Sequence, residues 1–256
     1  MTRGNFCSVL VTGANRGIGF ELVKQLLGLP KPPQWIFATC RDPRDARAQE
    51  LKTLASKHPN LVILQLEATD EVTIKAAAKE AEAHLAGKGI NLLINNAGVM
   101  PPSTLESVTQ EDMLSVYRIN VVGPMLVTKA FLPLLKAAAK QSKEKGWCCS
   151  KAAVINTSTI GSSIGNPPSM NTFPVISYRC AKTALNMLTR CQALEYKEDG
   201  ILCAAIHPGW VKTDMGTEKA ELEVEESVRG ILNVLSNLSE EQSGRVVDWQ
   251  GKLMAW

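Results

Sequence analysis

The sequence lacks a strong charge of either sign. Its 28 lysines and arginines against 25 aspartates and glutamates leave a formal net charge of +3 over 256 residues. Proteins that bind nucleic acid or a charged membrane surface usually carry a larger basic surplus. We therefore expect no nucleic-acid partner and no membrane partner, and any cation important for function should act locally.

Metal-binding and disulfide patterns are also missing. The seven cysteines are an odd number, and none of their spacings matches a zinc site. Cys148 and Cys149 are adjacent, which suits neither a zinc knuckle nor a simple disulfide. The sequence therefore predicts reduced thiols, no metal and a cytosolic protein.

Targeting and membrane-spanning segments do not stand out either. An apolar segment begins almost at the first residue and leaves no room for a signal peptide. No unbroken apolar run reaches transmembrane length. The last residues, LMAW, match no retention, peroxisomal or prenylation signal. A cytoplasmic protein is the default expectation.

Short apolar runs alternate with longer amphipathic segments throughout the chain. Continuous apolar strands separated by helices are typical of a parallel sheet covered on both faces. We predict one doubly wound parallel-sheet (Rossmann) α/β domain over residues 1–256. The predicted strands are 6–12, 34–40, 61–66, 90–95, 152–158, 201–206 and a last one within 244–249, and the predicted helices are 17–28, 70–86, 110–118, 121–144, 177–198 and 223–238.

Three glycines lead from the first predicted strand into the first helix. Gly13, Gly17 and Gly19 stand in the segment TGANRGIG. Glycines at such a turn allow the backbone to approach a pyrophosphate, which the positive end of the helix dipole also attracts. A glycine triplet alone is weak evidence, but the strand–turn–helix context favours a dinucleotide-binding turn.

Further motifs, in the same order, resemble those of the short-chain dehydrogenase/reductase family. They are TGxxxGxG at 12–19, NNAG at 95–98, Asn120 in YRINVVG, the pair Tyr178 and Lys182 in YRCAK, and PG within HPGWVKTDM at 207–215. The resemblance spans nearly the whole chain. In detail the chain is similar to the sniffer-type carbonyl reductases and their C-factor-like relatives, with which it shares TCRD, HPGWVKTDMG and a short tail ending in Trp256.

The end of the second strand distinguishes NAD from NADP. An acid there selects NAD and an arginine favours NADP. Cys40 stands in the place of the acid, Arg41 follows it, and Arg16 lies in the glycine turn. Two guanidiniums suit a 2′-phosphate, although a solvated charge is the plain alternative for Arg41. We predict NADP(H) as cofactor, and Asp42, which precedes Pro43, as a helix N-cap.

Glu67 and Ala68 stand where relatives usually carry Asp and Val. The resemblance implies that this pair frames the adenine, with a plain strand-end charge as the alternative for Glu67. The predicted cofactor-binding residues are Gly13, Asn15, Arg16, Gly17, Ile18, Gly19, Arg41, Glu67, Ala68, Asn96, Ala97, Gly98, Tyr178, Lys182, Pro208, Gly209, Val211 and Thr213.

Tyr178 and Lys182 are four residues apart in a predicted helix, so their side chains share one face. A cation near a phenol favours the phenolate, and we expect Lys182 to lower the pKa of Tyr178. The resemblance implies that Tyr178 donates a proton to the substrate and that Lys182 also binds the nicotinamide ribose. It further implies that Asn120 holds a water of a proton relay, and a helix N-cap is the structural alternative.

The segment INTSTIGSS contains five hydroxyl side chains. Relatives carry N-x-S-S here, and the second serine binds the substrate carbonyl. Read without gaps, Thr159 takes that position and Ser158 precedes it. Only one of two successive strand residues faces the cleft, so we favour Thr159 and keep Ser158 as the fallback. Ser162 and Ser163 are predicted turn residues.

An apolar wall for the substrate is predicted from the loop 160–176 and from the segment after the PG motif. Its members are Pro167, Pro168, Met170, Phe173, Trp210 and Met215. Ordinary packing is the alternative for each of them taken singly. His207, directly before the PG motif, is interpreted as structural.

These observations predict an NADPH-dependent reductase of small aldehydes, ketones or quinones. Two alternatives remain: an NADP(H)-binding sensor or regulator with little turnover, supported by the threonine at position 159, and an NADP-linked alcohol dehydrogenase working in reverse. In relatives, helices matching 121–144 and 177–198 build homodimers or homotetramers, but monomers also occur, so the oligomeric state stays open.

Overall fold

The computed structural model of the protein describes residues 6–255, so the tail comparison at Trp256 lies outside the described residues. Seven strands and seven α-helices alternate along the chain. The strands are β1 (Ser8–Val11), β2 (Trp35–Cys40), β3 (Leu61–Gln65), β4 (Leu92–Asn95), β5 (Ala153–Thr157), β6 (Leu202–His207) and β7 (Val246–Asp248). The helices are α1 (Gly17–Leu27), α2 (Gln49–Ala55), α3 (Glu71–Leu85), α4 (Gln110–Tyr117), α5 (Gly123–Gln141), α6 (Ile176–Glu195) and α7 (Val224–Asn237).

All seven strands form one parallel sheet in the order β3-β2-β1-β4-β5-β6-β7. The chain moves outward in one direction from β1 to β3 and then returns to place β4 on the other side of β1. In such a sheet the carboxyl ends of the strands open a crevice at the point of reversal. The predicted doubly wound parallel fold is confirmed.

Helices cover both faces of the sheet, as predicted. On β1, Val9 and Val11 belong to the core shared with α1 and α7, whereas Leu10 belongs to the core shared with α3 and α5. This alternation follows from the two-residue period of a strand. Phe37 and Phe131 are fully buried, and each such side chain contributes about 1.5–3 kcal/mol by leaving water.

The segment after β2 differs from the prediction. Asp42 accepts a hydrogen bond from the backbone N–H of Arg44 at 2.8 Å and stabilises a turn, so it is not a helix N-cap. Asp45 caps instead, by accepting from Arg47 N–H at 2.8 Å at the start of the 3₁₀ turn that leads into α2. The helix that a cap at Asp42 implies begins only at Gln49, and α2 spans only 7 residues and buries only Leu51.

Helices α4 and α5 are joined by a π-helical turn, Arg118–Val122. The predicted break at Asn120 is therefore wrong, and Asn120 is not an N-cap. The continuous stretch Gln110–Gln141 is long and apolar enough to cross a membrane by length and composition, although no unbroken apolar run predicts it. Half of its apolar window is buried, and Phe131 and Leu135 lie in the core against the sheet.

Candidate active site

A cleft of about 720 Å³ lies where the carboxyl ends of the strands meet. The carboxyl end of β5 and the loops after β1, β2, β3, β4 and β6 contribute to its walls, as the reversal of the sheet requires. The predicted cofactor-binding residues that line it are Gly13, Asn15, Arg16, Gly17, Ile18, Arg41, Glu67, Ala68, Asn96, Ala97, Gly98, Tyr178, Lys182, Pro208 and Thr213.

Three predicted cofactor-binding residues do not line the cleft. Gly19 lies under the glycine turn, where an added Cβ would stand 2.2 Å from the carbonyl oxygen of Gly13. Gly209 has a φ of +88°, and a Cβ there would lie 2.7 Å from Leu222. Val211 is buried and pairs with Leu222 through a β-bridge. These residues shape the loops around the cleft.

The glycine turn is fastened to the end of β4. Gly13 has a φ of +65°, and a Cβ on it would lie 3.0 Å from the Cα of Ala97. The Thr12 hydroxyl accepts hydrogen bonds from the backbone N–H groups of Asn96 and Ala97, both at 3.0 Å. The Asn96 side chain donates in return to the Thr12 carbonyl at 3.0 Å. The NNAG motif thus holds the turn in place.

One end of the cleft is rich in guanidinium groups. Arg16 forms an ion pair with Asp214 across the cleft, and Arg41 Nε lies 3.9 Å from the Glu67 carboxylate. Arg47, which the sequence analysis did not single out, also lines this end. Cys40 ends β2 in the place of an NAD-selecting acid. Together with the N-terminus of α1, this cationic donor set fits a dinucleotide that carries an extra phosphate.

The structure separates the two candidate hydroxyls. Thr159 lies near the Tyr178 hydroxyl, where a hydrogen bond from it lowers the pKa of Tyr178, and its oxygen accepts from the N–H of Gly161 at 3.2 Å. Ser158 is turned away and donates to Asn186 Oδ1 at 2.6 Å. This arrangement supports Thr159 as the carbonyl-orienting group and gives Ser158 a structural hydrogen bond.

Tyr178 and Lys182 are both buried on α6. The Lys182 ammonium donates to the Thr157 carbonyl at 2.6 Å and lies 5.5 Å from the centre of the Tyr178 ring. Burial raises the pKa of Tyr178 well above its usual value, and the hydrogen bond with Thr159 offsets part of that rise. The expected lowering of the Tyr178 pKa by Lys182 is therefore wrong for this structure, because burial outweighs it.

Burial lowers the pKa of Lys182 from its usual 10.5 to about 8. Between these two values the unfolded chain binds a proton that the folded protein does not. The free energy of unfolding should therefore rise with pH in this window, by up to about 1.4 kcal/mol per pH unit. Urea denaturation of the wild type and of Lys182→Met at pH 7 to 10 checks this expectation. A stability difference between the two proteins that is independent of pH would contradict it.

Asn120 is fully buried in the π-turn. Its side chain accepts from Val99 N–H at 2.9 Å and donates to the Val99 carbonyl at 2.8 Å. A Cβ on Gly98 would lie 3.0 Å from Asn120 Oδ1 and 3.7 Å from Lys182 Nζ, so the glycine lets the two side chains approach. Pro124 has no N–H for the Asn120 carbonyl four residues earlier. The Asn120 carbonyl therefore receives no α-helical hydrogen bond from the residue four positions on.

The substrate side of the site carries apolar side chains. The Phe173 ring meets the Tyr178 ring edge-on, with the ring centres 6.2 Å apart, and Met215 lines the cleft. Trp210 is half exposed and donates its indole N–H to the Gly216 carbonyl at 2.8 Å. His207 is not among the lining residues, and burial lowers its pKa to about 4, consistent with a structural role.

All seven cysteines are free thiols in the structure. Among residues 6–255, no group of three or more His, Cys, Asp or Glu side chains is placed to hold a metal ion. Cys149 and Cys203 are buried, and burial raises the pKa of each thiol, which keeps both protonated.

Comparison with known proteins identifies relatives of this chain. This chain is 55% identical to the NADPH-bound carbonyl reductase from chicken fatty liver. The match covers 98% of this chain and 100% of that structure, with a TM-score of 0.95. For the carbonyl reductase Sniffer of Drosophila melanogaster the identity is 38%, the coverage 98% and 100%, and the TM-score 0.93.

A third relative is the C-signal protein of Myxococcus xanthus, 38% identical over 168 residues, which are 65% of this chain and 93% of that protein. These similarities confirm the predicted resemblance to sniffer-type reductases. The family model for short chain dehydrogenases matches residues 8–223. The chain therefore belongs to the short-chain dehydrogenase family.

Proposed function

We propose that the protein reduces the carbonyl group of small aldehydes, ketones or quinones with NADPH. The observation that carries this proposal is the cleft itself, which holds Tyr178 and Lys182 at one end, with Thr159 next to Tyr178, and three arginines at the other. The 55% identity with an NADPH-bound carbonyl reductase supports it.

The cofactor would lie along the cleft from the arginines to Tyr178. The glycine turn and the N-terminus of α1 would hold the pyrophosphate, and Arg16, Arg41 and Arg47 the 2′-phosphate. Lys182 would bind the nicotinamide ribose. NADPH, when bound, supplies the hydride that reduces the carbonyl carbon.

The proton comes from the protein. Tyr178 donates its phenolic proton to the substrate oxygen, and Thr159 donates a hydrogen bond to the same oxygen and stabilises the charge that develops there. Burial keeps Tyr178 protonated, so the resting site holds the proton that reduction requires. The Lys182 cation stabilises the tyrosinate that remains.

Reprotonation of the site would proceed through Lys182. Its ammonium lies close to the Asn120 side chain across Gly98, and the Asn120 carbonyl lacks the N–H of a residue four positions on. A water held by that carbonyl would connect Lys182 to solvent. Asn120 thus acts in the relay through its backbone, while its side chain fixes Val99.

Substitutions at the two hydroxyls separate orientation of the carbonyl from packing. Thr159→Val should lower kcat about 10- to 100-fold, because the substrate oxygen loses a hydrogen bond in the transition state. Thr159→Ser keeps the hydroxyl and should stay within a few-fold of wild type. Ser158→Ala should lower thermal stability and change kcat little, since it leaves the buried side-chain Oδ1 of Asn186 without its donor. A larger loss of kcat in Ser158→Ala than in Thr159→Val would contradict the assignment of Thr159 as the residue that orients the carbonyl.

The proposed function is tested by the loss of NADPH absorbance, with NADH in parallel, over a panel of quinones, aldehydes and ketones. Turnover with NADPH and little with NADH is the expected result. NADPH binding without turnover of any substrate would overturn the proposal and favour the sensor. Faster oxidation of alcohols than reduction of the matching carbonyls would favour the reverse dehydrogenase.

A further inference from the structure

One arginine binds the loop 164–174, which lies between β5 and α6 beside the catalytic residues. Arg179 lies directly after Tyr178 on α6. Its guanidinium donates to the Pro168 carbonyl at 2.7 Å and to the Phe173 carbonyl at 3.4 Å, and it contacts the Met170 sulfur. One side chain therefore connects two separate parts of the loop to the helix that carries the proton donor.

The other hydrogen bonds of residues 164–173 are local. Phe173 N–H donates to the Ser169 carbonyl at 3.1 Å, and the Thr172 hydroxyl donates to the same carbonyl at 3.0 Å. The end of the loop is held from a distant segment, because the Pro174 carbonyl accepts from Ser103 N–H at 3.0 Å. Met170 and Ile164 are exposed, so the loop buries little apolar surface of its own. Local turns thus give the loop its shape, Ser103 holds its end, and Arg179 ties Pro168 and Phe173 to α6.

The position of the loop determines the surroundings of the reacting groups. The Phe173 ring, which meets Tyr178 edge-on, lies against Gly161, because a Cβ there would stand 2.6 Å from Phe173 Cε1. The stem of Arg179 packs on the same spot, with Cγ 3.5 Å from that Cβ position. Gly161 follows Thr159 by two residues. Arg179, Phe173 and Gly161 thus form one packed wall beside Thr159 and Tyr178.

We propose that Arg179 is a positioning residue that fixes the loop 164–174 as a wall over Tyr178 and so determines selectivity for bulky apolar carbonyl compounds. The selectivity rests on the proposed reductase function, whereas the fixation of the loop does not. A small carbonyl compound reaches Tyr178 and Thr159 without using this wall. An aromatic ketone fills the space that Phe173 bounds, so only its binding depends on the wall.

The test compares Arg179→Met, Arg179→Lys and the control Arg190→Met. The Arg179→Met side chain keeps an aliphatic stem against Gly161 but lacks the guanidinium N–H donors. The Arg179→Lys side chain restores part of these donors. Arg190 is an exposed arginine on the same helix, away from the loop. Acetophenone and propanal serve as the bulky and the small substrate, and hydrogen–deuterium exchange reports on the loop 164–174. Thermal melting identifies any variant that fails to fold, in which case Arg179→Lys carries the test.

Arg179→Met should speed exchange in the loop 164–174 and raise KM for acetophenone about tenfold, as expected for the loss of one or two hydrogen bonds. Its kcat, its KM for propanal and its affinity for NADPH should stay within about twofold of wild type. Arg179→Lys should lie between Arg179→Met and wild type, and Arg190→Met should match wild type.

Unchanged exchange, or equal effects on both substrates, would overturn the proposal. A wild type that reduces neither these two substrates nor any other quinone, aldehyde or ketone of the panel would overturn the proposed function and the selectivity with it. Faster loop exchange in Arg179→Met would then still support Arg179 as the residue that holds the loop. The two failures are therefore distinguishable.

Discussion

Replacing Tyr178 with phenylalanine is expected to lower kcat for carbonyl reduction by about 10²- to 10⁴-fold, the range contributed by a positioned proton donor. The variant keeps the ring that packs against Phe173 and loses only the hydroxyl bonded to Thr159. Its affinity for NADPH, measured by fluorescence titration, should therefore change little. Loss of turnover with retained binding would assign the hydroxyl to chemistry.

Tyr196→Phe is the matched control. Tyr196 lies just beyond the end of the same helix, is partly buried and does not line the cleft. Its loss of a hydroxyl should leave kcat near the wild-type value. Tyr178→Phe with more than a tenth of wild-type kcat would show that another group, such as Lys182 or a water, protonates the substrate oxygen.

The sheet was predictable because each strand is marked by its own residues. Runs such as FCSVLVT and LVILQL consist mostly of apolar residues, which is typical of strands in a parallel sheet covered on both faces. The strand-to-helix turn at Gly13 is predicted by its glycines, which the close approach to Ala97 requires. Helix α2 was not predictable in the same way, because a single buried leucine gives no helical period.

Features that depend on contacts between distant segments could not be predicted from the sequence. The Thr12 hydroxyl binds two N–H groups of the NNAG motif, more than eighty residues away, and the pattern of neither segment indicates that contact. Arg47 belongs to a charged stretch in which any arginine looks like a solvated charge. In the structure it lines the cleft, where Asp45 binds both its backbone N–H and its guanidinium.

The π-turn can be related to Pro124 in the sequence once the structure is known. Pro124 lacks the N–H that would bond the Asn120 carbonyl, which interrupts the α-helical hydrogen-bond pattern at this point. Just before it, the Gly123 N–H bonds to the Arg118 carbonyl five residues back, in the wider π pattern. The period of apolar residues does not distinguish a π-turn from a helix break with an N-cap at Asn120, which was the structural alternative. Such π-turns often occur at functional sites.

The expected pKa of Tyr178 was wrong because spacing gives proximity but not burial. Residues four apart on a helix do bring Lys182 to the Tyr178 ring, at 5.5 Å. The spacing does not show that both lie inside the protein, where desolvation disfavours both charged forms. The direction of each pKa follows from the surrounding fold.

Replacing Arg16 and Arg41 together with methionine is expected to weaken NADPH binding by about 10²- to 10⁴-fold, because each charge-assisted bond contributes about 1.5–3 kcal/mol. NADH, which lacks the 2′-phosphate, should bind the variant about as well as the wild type. Isothermal titration with both nucleotides measures the ratio. The preference for NADPH should also decline in wild type as salt is raised, since exposed charges are screened.

Arg44→Met is the control for a lost charge in the same segment. Its side chain is 86% exposed, pairs with Asp42 and does not line the cleft. Arg16 must exchange Asp214 for the phosphate, and this exchange costs little because exposed ion pairs contribute about 1 kcal/mol or less. Equal losses for NADPH and NADH in the double variant would contradict recognition of the 2′-phosphate by Arg16 and Arg41. A retained preference for NADPH would assign that recognition to Arg47, the remaining guanidinium at this end of the cleft.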